Sequence, residues 1–189
     1  MTSIINRKIC IIAMIIFLLF QNSAFGQDAR LTNIIVTNTR DDLLLYFNVE
    51  GAFRDKMRTA ILSGVPTSFS FFINLYKTRN LWIDKKLADM KITHTIKFNN
   101  LKNEYIVTRS WKGDESIVTQ SFEEAQKLMT EVGSLKIASL GVLEKGSRYQ
   151  VRAKAELSKV TLPFYLHYIF VFVSLWDFET DWYTVDFIY

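Results

Sequence analysis

The chain has 189 residues, 49% of them hydrophobic, 14% aromatic and 22% charged, with 7 glycines, 2 prolines and 1 cysteine. Such a composition can fill a core, which excludes a disordered, collagen-like or disulfide-stapled protein. One domain takes about 100–200 residues, so a many-domain architecture is excluded as well. The formal charge is +4, and no basic run is long enough to track a phosphate backbone, so a nucleic-acid partner is not expected.

The first 26 residues read as a secretory signal peptide. Arg7 and Lys8 precede an uncharged apolar run of 12 residues, 9–20, and Ala24-Phe25-Gly26 supplies the small-x-small site that predicts cleavage between Gly26 and Gln27. Spanning a hydrocarbon core as a helix takes about 20 residues, so a retained anchor is the less favoured reading. Cys10 lies too early for a lipidation cysteine and leaves with the leader. The mature chain, residues 27–189, keeps 21 Lys and Arg against 19 Asp and Glu, a charge of +2, and no cysteine. It therefore has no disulfide, thiol nucleophile or thiolate ligand, and it tolerates an oxidising periplasm without depending on it.

From residue 31 the apolar period is mostly two. Residues 31–36 and 43–49 flank the polar cluster 38–42, a hairpin signal. Phe69, Phe71, Ile73 and Leu75 alternate with Ser68, Ser70, Phe72 and Asn74. Residues 92–98 and 105–111 repeat the theme across Asn99-Asn100. Tyr149, Val151, Ala153, Ala155 and Leu157 face away from Gln150, Arg152, Lys154, Glu156 and Ser158, so one side of that strand is packed and the other wet. Two stretches break the period. Residues 52–63 place Phe53, Met57, Ala60 and Ile61 on one helical face, closed by Gly64 and Pro66. Residues 122–132 place Ala125, Leu128, Met129 and Val132 on another, opened by Ser121 and Glu124 as a capping box and ended by Gly133. The predicted fold is mainly β, an antiparallel β-sandwich with two short helices in a single domain. Its predicted core is Phe71, Ile73, Leu75, Val107, Val151, Ala153 and Leu157.

The segment 60–66 leading into an alternating strand, Leu81-Trp82-Ile83-Asp84 after it, residues 101–107, and Leu162-Pro163 ahead of a C-terminal tryptophan pair recur in one order behind a signal peptide. In this the chain resembles the bacterial DUF4390 family of exported proteins of unknown function, over about residues 30–189. The resemblance implies no catalytic residues, because none are established for the family. Some members are encoded beside a two-component sensor kinase, which implies a link to envelope sensing.

Catalytic chemistry is sparse. A metal site wants several ligands at short spacing, yet the only histidines, His94 and His167, lie 73 positions apart. His94 sits on the apolar side of a strand, where a hydrogen-bonded core histidine is expected, and His167 lies in an aromatic run. No G-x-S-x-G elbow or phosphate-cradling glycine loop is present. No cofactor is expected. Near the C-terminus Asp177, Glu179 and Asp181 alternate among Trp176 and Trp182, with Asp186 following. Such acids could bind Ca²⁺ or act as a glycosidase pair, against the simpler reading of a solvated hairpin turn with its aromatics buried beneath. Asp84, beside Trp82 and Lys85-Lys86, reads as a surface turn closed by a buried indole. Residues 162–176, from Leu162 to Trp176, carry no charge and read as a core element or as a peripheral membrane contact. Tyr183, Val185, Phe187 and Tyr189 alternate to a terminal aromatic, as barrel strands do.

Three function classes follow. The leading one is an exported, periplasmic, non-catalytic module binding an envelope protein or peptide, because sheet edges accept partner strands. The alternatives are a membrane-associated protein or small outer-membrane barrel, and a carboxylate hydrolase or calcium module at the acidic turn. The residues singled out for a site are Trp82, Asp84, Trp176, Asp177, Glu179, Asp181 and Trp182.

Overall fold

The computed structural model describes residues 29–79, 82–113, 115–158 and 178–189. The signal segment, His167 and the uncharged run 162–176 lie outside the described residues. Nine strands run β1 (Arg30–Asn38), β2 (Asp42–Glu50), β3 (Thr67–Lys77), β4 (Lys85–Asn99), β5 (Glu104–Arg109), β6 (Ser116–Thr119), β7 (Glu131–Ser139), β8 (Arg148–Leu157) and β9 (Tyr183–Ile188). Helix α1 (Asp55–Leu62) separates β2 from β3, and α2 (Phe122–Thr130) separates β6 from β7.

The strands form two antiparallel sheets, a three-stranded one ordered β1-β2-β7 and a six-stranded one ordered β6-β5-β4-β3-β8-β9. Both sheets end in edge strands, so the described strands do not close into a barrel. No helix among the described residues is long and apolar enough to cross a membrane. The fold is the mainly β, two-sheet architecture that the alternating pattern predicts.

Alternation explains the packing. Leu43, Leu45, Phe47 and Val49 of β2 face Phe69, Phe71, Ile73 and Leu75 of β3, and every one of them is buried. Phe47 meets Phe71 across the sheets at a ring distance of 5.6 Å. All seven predicted core residues are buried, Phe71, Leu75 and Val107 completely so. β3 lies between β4 and β8 with unbroken pairing to β8 from Phe69–Leu157 to Lys77–Tyr149. Its central place gives it apolar cover on both flanks, which is why its inward side chains are the most deeply buried of the fold.

The helices differ from the predicted ones at their ends. α1 starts at Asp55 rather than residue 52, and Phe53 precedes it, packing against Phe69 at 5.1 Å and Phe122 at 5.8 Å. Met57, Ala60 and Ile61 are its buried face, as the spacing requires. Gly64, at φ +84°, turns the chain out, with Gly64 N–H on the Ile61 carbonyl at 2.8 Å and Val65 N–H on the Ala60 carbonyl at 3.1 Å. That left-handed position suits glycine, which lacks the Cβ that makes it costly.

α2 ends at Thr130, two residues earlier than predicted, and the chain passes directly into β7. Val132 is a strand residue paired with Phe47, and Gly133 lies inside β7 instead of ending the helix. Pairing to β2 outweighs the helical period here, because Val132, Leu135 and Ile137 bury their side chains against β2. β7 itself was not visible in the local pattern. The capping box is half formed: Ser121 Oγ accepts from Glu124 N–H at 3.2 Å, while the Glu124 carboxylate takes the Thr119 hydroxyl instead of reaching back to Ser121. The strand predicted to reach Trp111 stops at Arg109, and residues 110–112 form a short 3-10 turn.

Phe71 is the packing centre. Phe71→Ala is expected to lower unfolding stability by about 3–5 kcal/mol, read from urea midpoints at constant m-value. A loss under about 1 kcal/mol would mean that the two sheets do not depend on this contact.

Candidate functional site

The buried histidine is used structurally. β4 places His94 on the inward face, fully buried, with its ring against Phe71 at 4.8 Å. Trp111 Nε1–H, which can only donate, reaches His94 Nε2 at 2.9 Å. Nε2 is therefore the acceptor, and Nδ1 carries the proton that it donates to the Met129 carbonyl, 3.0 Å away. One imidazole thus ties β4 to the turn after β5 and to the last turn of α2. Burial pushes its pKa down from 6.5 to about 4, and the nearby Arg109 and Lys112 cations act in the same direction. Neutral and with both nitrogens engaged, His94 has neither a free base nor a free ligand position.

From Phe178 on, the acidic C-terminal stretch is not a turn. Residues 178–180 lie along β8, with Leu157 N–H on the Phe178 carbonyl and Thr180 N–H on the Ala155 carbonyl, both at 2.9 Å. Phe178 and Thr180 point in and are buried, and Phe178 packs edge-on against Phe69 at 4.8 Å. Glu179 and Asp181 point out. The Glu179 carboxylate is held by Lys154, whose ammonium also lies 5.8 Å from the Trp182 ring. Asp177 and Trp176 lie outside the described residues. Among the described residues no group of three or more His, Cys, Asp or Glu is placed to hold a metal.

Trp182 is not buried beneath this stretch; it is 48% exposed. The β3–β4 turn likewise contradicts a buried indole. Trp82 is 75% and Ile83 83% exposed, while the Asp84 carboxylate accepts the Arg79 N–H at 3.2 Å. The turn closes through the Asp84 carboxylate, and the indole is left in solvent. The structure does not bring Trp82 and Asp84 together with Glu179, Asp181 and Trp182.

What gathers around Trp182 instead is the outer face of the six-stranded sheet. Strand pairing lines up Asn74, Arg152 and Thr184 on β3, β8 and β9 as one rung, and Tyr76, Gln150 and Asp186 as the next. Rungs on one face lie about 7 Å apart along the strands, and neighbours within a rung lie about 4.8 Å apart. Asn74, Tyr76, Gln150, Arg152, Trp182 and Thr184 line a cleft of about 460 Å³. The Arg152 guanidinium lies over the Tyr76 ring at 4.7 Å, and its Nε donates to Gln150 Oε1 at 2.5 Å. Gln150 in turn donates to Asp186 at 2.8 Å. Sequence reasoning recorded Gln150 and Arg152 only as the wet side of a strand. The usable signal was Asn74, an amide between Ile73 and Leu75, but its partners appear only once the strand order is known.

The family described as Domain of unknown function (DUF4390) matches residues 26–186. The chain belongs to the DUF4390 family. No curated protein and no solved structure matches it. For DUF4390, then, the site chemistry has to be argued from this chain's own geometry.

Because the folded pKa of His94 lies below its unfolded value, the unfolded chain binds the proton first as the pH drops. The stability His94 contributes is complete above pH 6.5 and is lost as the pH falls towards 4, by about 3 kcal/mol in all. Urea unfolding from pH 7 to 4 should show this slope, and His94→Phe should flatten it whatever its own starting stability. An unchanged slope in that variant would mean that His94 is not held neutral.

Proposed function

We propose that this DUF4390 protein is an exported, non-catalytic envelope module that binds an extended segment of a protein or peptide along β9. The observation that carries the reading is the contrast between β9 and the other edges. An open edge is a template for another strand, and folds blunt such edges with bulges, shortness or charge. β1 is broken by a bulge, with Asn33 at φ +53° and a register shift before Ile35. β6 has four residues. β7 carries two register shifts and Ser134 at φ +59°. β9 pairs with β8 without a shift over six residues, and among the described residues its other side carries no strand.

β9 has one charge, Asp186, already engaged by Gln150. Val185 and Phe187 lie on the inward face but are only half-buried, and Tyr183 and Ile188 are exposed. A strand added here would gain backbone hydrogen bonds from the edge, and apolar residues at every second position would extend the interior face. The engagement of both His94 nitrogens and of the Glu179 carboxylate supports a binding role over a catalytic one. An envelope protein fits the secretory leader, and sensing through such a contact fits what the family resemblance implies.

A photo-crosslinking residue at Thr184 or Ile188 of the exported chain tests this in cells. Discrete adducts with one protein are expected from β9 and none from Val118 on β6, and Tyr183→Lys with Ile188→Lys should reduce them about tenfold. Equal adducts from both edges, or none from β9, would refute the reading. The soluble periplasmic fraction should contain a chain beginning at Gln27; a detergent-dependent species would refute the exported soluble module.

A further inference from the structure

We propose that the outer-face cleft of β3, β8 and β9 is a binding site for a carboxylate-bearing sugar, a hexuronate unit. The site is separate from the β9 edge, because it opens on the face of the sheet and uses side chains. Its floor is polar where a solvated strand face has no need of burial: Asn74 is 8% exposed, and its Oδ1 has no hydrogen-bond partner. A buried, unpaired amide oxygen is destabilising, and an incoming hydroxyl would relieve it, since the amide can present its oxygen or its nitrogen to the cleft by rotating about its last bond.

Arg152 supplies the charge. Among the described residues it is the only ionisable side chain lining the cleft besides Tyr76, and no carboxylate among them pairs with it. The Tyr76 ring and Gln150 Oε1 hold the guanidinium at its Nε side, which leaves the two Nη groups to serve as a planar fork. A fork held flat in advance matches a carboxylate, which accepts two parallel N–H bonds. The other acids on this face are already engaged, Asp89 by Lys86 at 2.8 Å, Glu179 by Lys154 and Asp186 by Gln150. They leave Arg152 as the unfilled position.

The remaining walls decide what carries the carboxylate. The Trp182 indole offers flat apolar surface, and Asn74 and Thr184 offer neutral donors and acceptors. An apolar aromatic acid would leave the Asn74 amide oxygen unpaired. An amino acid would bring an ammonium for which the cleft lining holds no acid. A pyranose acid meets all three demands: its C–H face lies on the indole, its hydroxyls take Asn74 and Thr184, and its carboxylate takes Arg152. The volume of about 460 Å³ falls in the range of ligand sites, about 300–1,000 Å³.

Titration calorimetry of the mature chain with trigalacturonate, and with neutral galactotriose beside it, tests the proposal. Saturable binding of the acid is expected, at least tenfold tighter than the neutral sugar. Arg152→Gln and Trp182→Ala should each weaken it tenfold or more, and Arg152→Lys should not restore it, since an ammonium lacks the fork. Both side chains are outside the core, so unchanged melting temperatures would certify that the variants are folded. Absence of binding at millimolar ligand, equal affinity for galactotriose, or binding that Arg152→Gln leaves intact would each overturn the proposal. Displacement by acetate at equal concentration would reduce the site to a simple anion contact and overturn it too.

Discussion

The structure depends on the contact of Phe71 with its two neighbours. Phe71 lies in the central strand of the six-stranded sheet and meets Phe47 of the facing sheet at 5.6 Å and His94 of the adjoining strand at 4.8 Å. The first contact holds the layers together by burying apolar surface from both. The second reaches the polar interior, because His94 accepts from Trp111 and donates to the Met129 carbonyl. Two irregular elements, the turn after β5 and the end of α2, are thereby fixed to the regular sheet. A larger aliphatic residue at position 94 could fill the volume but would leave the indole N–H and the carbonyl unpaired, so the imidazole satisfies requirements that packing alone would not.

This interior is concentrated on the side of β2, β3, β4 and the helices. β8 still buries Tyr149, Val151, Ala153, Ala155 and Leu157, but the inward residues of β9 are half-buried or exposed. The same strand that ends the sheet also places Trp182 and Thr184 beside Arg152 and Asn74 on the outer face. Rigidity and recognition are thus separated along one sheet. Within the six-stranded sheet β3, β4 and β8 carry most of the buried side chains and are flanked on both sides, while β9 at its edge contributes little to the core.

Much of this was legible in the amino-acid order. The alternation in residues 69–75 and 149–157 identified β3 and β8 and which side of each is buried, since a period of two admits only one choice of face. Met57, Ala60 and Ile61 identified the face of α1, and Gly64 its end. His94 was readable as a core histidine because it stands at an inward position between Ile92 and Ile96. What was not legible depends on contacts distant in sequence. The helical spacing of residues 122–132 is sound to Met129, but Val132 belongs to β2's partner strand, and only the pairing with Phe47 reveals it. Trp82 and Trp182 read as buried because indoles usually are, while one stands at the β3–β4 turn and the other just before β9, and both are exposed. The cleft residues Asn74, Arg152 and Thr184 come from strands 78 and 32 positions apart, and no local pattern brings them into one rung.

Hydrogen–deuterium exchange of the isolated mature protein tests the central claim most directly, namely that a rigid core around Phe71 and His94 supports an open β9 edge. The amides of Phe71 and His94 should exchange only through global unfolding, and alternate amides of β9 should exchange orders of magnitude faster through the unpaired side of the strand. Full protection of every β9 amide in the isolated chain would contradict the account, because the edge would then already be occupied. Fast exchange at Phe71 or His94 would contradict it from the other side, since the core would not be held where the two sheets and the imidazole meet.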